Sequence, residues 1–139
     1  MSSGFPGSAI VGNGIDIVST QRIGTTVARH PKRFARKILS PTEFADFVER
    51  GQKTQDLAKY FAVKEAAAKA LGTGMGAGVY WPQMQLHRKP VSGAPLLRLE
   101  GAALERMHKV GGAAAIVSLA DEGDLVIASV VIGAALPQV

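Results

Sequence analysis

The spacing of hydrophobic and polar positions changes several times along the chain, and each change predicts an element. Ala9–Val18, AIVGNGIDIV, is β-branched on both sides of a Gly-Asn-Gly interruption, which predicts a strand carrying a bulge or bend. Asp16 lies in it between Ile15 and Ile17, so the alternation turns its carboxylate away from both, toward solvent, a partner or a ligand. Thr20 is placed to cap a helix over Gln21–Arg29, ended by the His30-Pro31 step because a residue before proline avoids the α region. Lys32–Leu39 reads as a short basic helix with Phe34 and Ile38 on one face. Ser40-Pro41-Thr42-Glu43 is a capping box with proline at the first helical position; the helix it opens passes Phe44 and Phe47 and stops at Gly51.

The strongest helix signal is Leu57–Gly76, LAKYFAVKEAAAKALGTGMG, capped by Thr54 or Asp56 and built from Ala, Leu, Lys and Glu. Gly72 can end it in the left-handed conformation, and Gly74 and Gly76 leave backbone N–H groups open to an anion. Downstream, Val79–Leu86 is expected as a strand entered through Trp81-Pro82, with a turn at Val91–Ala94 and a partner strand at Pro95–Leu99. A helix over Gly101–Val110 ends at Gly111-Gly112, and strands at Ala114–Leu119 and Leu125–Ile132 flank a turn at Asp121–Asp124. The order predicts an α+β fold, a mainly antiparallel sheet packed against helices.

At 139 residues this is one domain, taken as residues 9–139, behind a disordered lead-in at 1–8 that lacks the basic and apolar regions of a signal peptide. The apolar C-terminal run is far shorter than the ~20 residues of a membrane span. Sixteen Lys and Arg against eleven Asp and Glu give a net charge of +5, which predicts acidic partners: nucleic acid, anionic membrane, a polyphosphate ligand or an acidic protein. Aromatic content of 6% is thin for a platform that stacks single-stranded bases, which lowers the nucleic-acid option. The absence of cysteine removes disulfides, thiol nucleophiles and thiolate metal sites, and suits a cytoplasmic protein.

Three residues carry candidate chemistry. Glu65 and Lys69 stand one helical turn apart, and Asp16 is a carboxylate in an otherwise apolar strand. Together they suggest a hard-cation site, since Mg²⁺ takes one or two carboxylates and completes its shell with water and phosphate oxygens. Gly72-Thr73-Gly74 is not a Walker loop, because its glycines follow a helix instead of opening one. Gly12 and Gly14 lack the third glycine of a dinucleotide fingerprint. His30, His87 and His108 have no ligand or triad spacing. Lys32, Arg33, Arg36 and Lys37, with Arg22 and Arg29 before them, form either a solvated face or a docking surface for an acidic partner.

Two stretches also resemble the signatures of one family. Gly14-Ile15-Asp16-Ile17-Val18 resembles the G-x-D-I-V motif of the holo-[acyl-carrier-protein] synthases, the small 4′-phosphopantetheinyl transferases. Phe61–Ala70, FAVKEAAAKA, followed by Leu71-Gly72-Thr73-Gly74, is similar to their second signature. The RFARKILSPTEF stretch, the G-x-P-x-L-x-L-x-G pattern at Gly93–Gly101 and the turn at Val117–Asp121 extend the likeness from about Ile10 to Ile132. The resemblance implies transfer of the phosphopantetheine arm of coenzyme A to a serine of an apo acyl carrier protein, releasing adenosine 3′,5′-bisphosphate. It implies Asp16 and Glu65 as Mg²⁺ ligands, with Glu65, directly or through a metal-bound water, or alternatively Asp16, as the base for the serine. Lys69 would neutralise the pyrophosphate; Lys64, Lys69, Gly72, Thr73 and Gly74 would bind coenzyme A, the glycine loop through its amides. Arg22 would grip the acidic carrier, and a homotrimer would hold coenzyme A between subunits. Arg29 and Arg33 are added to the carrier surface from their place in the basic stretch, not from the resemblance. Tyr60, Ala94, Ile116 and Gly24 stand where the family usually has arginine, lysine, histidine and an acidic residue. The alternative from another class is a non-catalytic basic module that binds nucleic acid or an acidic protein.

Overall fold

A computed structural model describes residues 9–135, so the expected lead-in at 1–8 lies outside the described residues. The chain runs β1 (Ile10–Ser19), α1 (Thr20–Arg29), α2 (Arg33–Ile38), α3 (Pro41–Glu49), α4 (Thr54–Leu71), a 3₁₀ turn (Trp81–Gln83), β2 (Met84–Arg88), β3 (Pro95–Leu99), α5 (Gly101–Lys109), β4 (Gly112–Glu122) and β5 (Leu125–Ala134). Its strands make two antiparallel sheets, β1-β5-β4 and the β2-β3 hairpin, in keeping with the α+β expectation.

Everything packs around α4. Leu57, Ala58, Ala62, Val63, Ala66, Ala67, Ala68, Ala70 and Leu71 are buried, so the helix is covered on nearly all sides. The three-stranded sheet lies across one flank, contributing Val126, Ala128, Val130 and Ile132 from β5. Contact with β1 is closer still: a β-carbon on Gly12 would collide with the carbonyl oxygen of Ala70, and one on Gly14 with that of Ala66. The Gly-Asn-Gly interruption thus lets a helix backbone rest directly on a strand. The register irregularity of β1 lies just before it, between Ile10 and Gly12.

Several boundaries differ from expectation. Ser19, not Thr20, caps α1, accepting from Arg22 N at 3.2 Å. Asp124, read from sequence only as a turn residue, closes the same end: it accepts from Ser19 Oγ at 2.6 Å and Gln21 N at 2.8 Å. Lys53 occupies the cap position of α4 with no side-chain bond, and Thr54 and Asp56 lie inside the first turn. The strand expected from Val79 begins only at Met84, because Trp81-Pro82-Gln83 coils into the 3₁₀ turn. The capping box at Ser40 and Glu43 forms as expected. So does the left-handed Gly72, with φ of 78°.

Candidate active site

Alternation in β1 puts Gly12, Gly14 and Asp16 on the helix side, and leaves Ile15 and Ile17 on the outer face, 63% and 59% exposed. Asp16 therefore meets α4 beside the glycine contact, at Lys69. Lys69 Nζ donates to Asp16 Oδ1 at 3.0 Å and to the Ile15 carbonyl at 2.9 Å. With two of its three hydrogens so used, the half-exposed ammonium keeps one for a ligand. Glu65 precedes Lys69 by one turn and shares a cleft of ≈ 310 Å³ with Asp16. Arg22, Thr26, Phe34 and Phe61 complete its wall, so β1, α1, α2 and α4 all meet there. Two expected carboxylates and one expected arginine thus converge. Arg29 and Arg33 do not line the cleft, and lie exposed at the end of α1 and the start of α2.

The Glu65 side chain accepts one hydrogen bond among the described residues, from Trp81 Nε1 to Oε1 at 2.9 Å. Sequence reasoning missed this tryptophan. No local spacing predicts it, because the 3₁₀ turn brings it back across 16 residues.

One expectation about a coenzyme A contact is corrected. Lys64 has no exposed side-chain surface. Its ammonium donates to Glu43 Oε1 at 2.7 Å and to the carbonyls of Met84 at 2.7 Å and Trp81 at 2.9 Å, which consumes every donor it has. Glu43 is equally committed, accepting also from Ser40 N and Leu86 N. Burial pushes the Lys64 pKa below its usual value, and the Glu43 carboxylate works against that shift. This pair ties α3, α4 and β2 together and does not face the cleft. The glycine loop expected to bind coenzyme A also closes the helix. The N–H groups of Gly72, Thr73 and Gly74 all turn back onto the Ala68 or Lys69 carbonyls, satisfying the open end of α4. Arg106 Nε takes the Leu71 carbonyl at 2.9 Å.

Tyr60, in place of the family's usual arginine, donates its hydroxyl to Asp46 at 3.2 Å. Burial, and then the Asp46 charge, raise that hydroxyl's pKa well above the usual range. Lys59 beside it pairs with Asp121 at 3.5 Å.

Comparisons with known proteins show the family and the fold. The model of the 4′-phosphopantetheinyl transferase superfamily matches residues 12–128. A holo-[acyl-carrier-protein] synthase of Shewanella amazonensis is 43% identical over 124 residues, covering 89% of this chain and 98% of the relative. The crystal structure of the synthase from Neisseria meningitidis superposes with a TM-score of 0.81 at 37% identity, covering 88% of this chain and 98% of that one. The Helicobacter pylori synthase, solved in complex with coenzyme A, gives 0.75 at 32%, covering 87% and 99%. The chain belongs to the 4′-phosphopantetheinyl transferase superfamily, as an enzyme of its holo-[acyl-carrier-protein] synthase family. Membership in an enzyme family sets aside the non-catalytic basic module.

Proposed function

We propose that this chain transfers the 4′-phosphopantetheine arm of coenzyme A to a serine of an acidic apo acyl carrier protein, in a Mg²⁺-dependent reaction in the cytoplasm. The convergence of Asp16, Glu65 and Arg22 on one cleft, with Lys69 at its edge, carries the reading. Among the described residues no group of three His, Cys, Asp or Glu side chains able to hold a metal ion forms, so the cleft offers two carboxylates, Asp16 and Glu65. Two carboxylates leaving room for water and phosphate oxygens are what Mg²⁺ tolerates. Asp16 and Glu65 would hold it. When bound, it would offset charge on the pyrophosphate.

The residues act as follows. The Glu65 carboxylate accepts the proton of the carrier serine as its hydroxyl oxygen bonds to the β-phosphorus of coenzyme A. The bond from that phosphorus to the bridging oxygen breaks, and adenosine 3′,5′-bisphosphate leaves with its negative charge. Lys69, pinned by Ile15 and Asp16 with one donor free, neutralises the departing phosphate. Arg22, on the wall of the same cleft, meets the acidic carrier as it delivers the serine, and Arg29 and Arg33 extend that basic surface.

The same reading makes the enzyme a homotrimer whose neighbouring copies complete the coenzyme A site. Its support, besides the family resemblance, is the outer face of the three-stranded sheet. Rows Asn13–Val131–Ile116 and Ile17–Ile127–Ala120 run across it, and Ile15, Ile17 and Ile116 are each well over half exposed. An apolar face of this kind marks an interaction surface, and Ile17 on it also lines the cleft.

The direct test is to incubate the protein with apo acyl carrier protein, coenzyme A and Mg²⁺, and weigh the carrier by intact mass spectrometry. The expected result is the gain of one phosphopantetheine, slowed at least ~10²-fold in Glu65→Gln and abolished by EDTA. Full transfer by folded Glu65→Gln would remove Glu65 from the mechanism.

A further inference from the structure

Trp81 is the chain's only tryptophan, and it is held at both ends of its residue. Its carbonyl accepts from the buried Lys64 ammonium at 2.9 Å. The turn around it is closed by Gln83, whose backbone N–H donates to the Tyr80 carbonyl at 3.0 Å and whose side chain accepts from Tyr80 N at 3.3 Å. Above the ring stands Lys37, with Nζ 5.1 Å from the centroid. From this fixed mount the indole N–H reaches Glu65 Oε1 at 2.9 Å, in a part-buried bond. A glutamate has three side-chain torsions and, left alone, would distribute its carboxylate over many rotamers. Here one oxygen is tied down, and Oε2 is left for the cleft shared with Asp16.

We propose that Trp81 is a positioning residue of the transfer reaction: its indole N–H orients the Glu65 carboxylate toward Asp16, and Lys64 holds the tryptophan in place to do so. The inference rests on the reading of Glu65 as the cation-binding carboxylate. It gives the buried Lys64–Glu43 pair a purpose connected to the site, because the same ammonium that joins α3 to β2 also fixes the carbonyl of Trp81. It also makes the chain's single tryptophan a direct optical reporter on Glu65.

The experiment uses the full chain with coenzyme A present and Mn²⁺ as the probe ion, since Mn²⁺ takes similar oxygen ligands and quenches a nearby indole. In the wild-type chain Mn²⁺ quenches Trp81 emission, and in Glu65→Gln it does not; that pair of results tests the cation site itself. Trp81→Phe keeps an aromatic ring and deletes the donor. Free Mn²⁺, followed by its electron paramagnetic resonance signal, is expected to show about tenfold weaker binding by this variant. The half-saturating Mg²⁺ for carrier modification rises by a similar factor, while the KM for carrier protein stays unchanged. If Trp81→Phe is unstable, benzothienylalanine at position 81 makes the same comparison, because it replaces only the indole N–H with sulfur. Quenching that depends on Glu65, together with unaltered Mn²⁺ binding in both position-81 variants, overturns the role of Trp81 alone. Absence of Glu65-dependent quenching overturns the cation site, and the role of Trp81 with it.

Discussion

Lys64 and Glu65 are chain neighbours with opposite fates. One step along a helix rotates a side chain by ~100°, so Glu65 opens onto the cleft while Lys64 points into the core. The Lys-Glu dipeptide of the signature is therefore two devices, one chemical and one structural, and the sequence alone does not separate them. Asp16 and Lys69 were legible because alternation and the i, i+4 rule each concern a single element. Trp81, Asp124 and the Lys64–Glu43 pair were not, because each acts between elements far apart in the chain. The energetic consequence at Lys64 is large. Lys64→Met leaves the Glu43 carboxylate buried without its counter-charge and frees two carbonyls of their donor, a loss expected at ~3–5 kcal/mol. Urea unfolding measures it; a change below ~1 kcal/mol would mean that the pair contributes little to stability.

At the scale of elements, the site depends on how closely α4 approaches β1. Alanines on the helix and glycines on the strand are small at facing positions, and that places Lys69 within reach of both Asp16 and the Ile15 carbonyl. The interruption in β1 was visible in the sequence as a bend. Its purpose was not, since it requires knowing that Ala66 and Ala70 stand opposite. Gly14→Ala inserts a methyl group against the Ala66 carbonyl and within 2.9 Å of the Lys69 β-carbon. Neither neighbour is a flexible side-chain end, so strand and helix must separate. The expected destabilisation is ~1–3 kcal/mol or more. Carrier modification should fall further than the unfolded fraction explains, because Asp16 moves relative to Lys69. Thermal melting and the transfer assay, run on the same preparation, distinguish the two effects. Unchanged turnover in folded Gly14→Ala would show that the site tolerates the displacement.

For the whole molecule, the sheet is the unfinished part. Its helix side is filled, with Val126, Val130 and Ile132 at 1% exposure or less, whereas the opposite side carries Ile15, Ile17 and Ile116 in the open. Strand alternation set Asp16 opposite Ile15 and Ile17, but not which of the two faces the rest of the chain would cover. If copies of this chain cover the outer face, wild-type protein should scatter light as three times the 14.5 kDa chain. Ile116→Glu places a charge on that face, on an edge strand whose core-facing neighbours Ala115 and Val117 are untouched. The variant should run as a single 14.5 kDa chain with its circular dichroism intact. Because neighbouring copies are proposed to complete the coenzyme A site, the same substitution should abolish transfer without touching Asp16, Glu65 or Lys69. A monomeric variant that modifies the carrier at the wild-type rate would place the complete site within one chain. A wild-type protein that is itself monomeric would leave the apolar face to a different partner, and the acidic carrier, drawn by Arg22 on the cleft, is then the first to test.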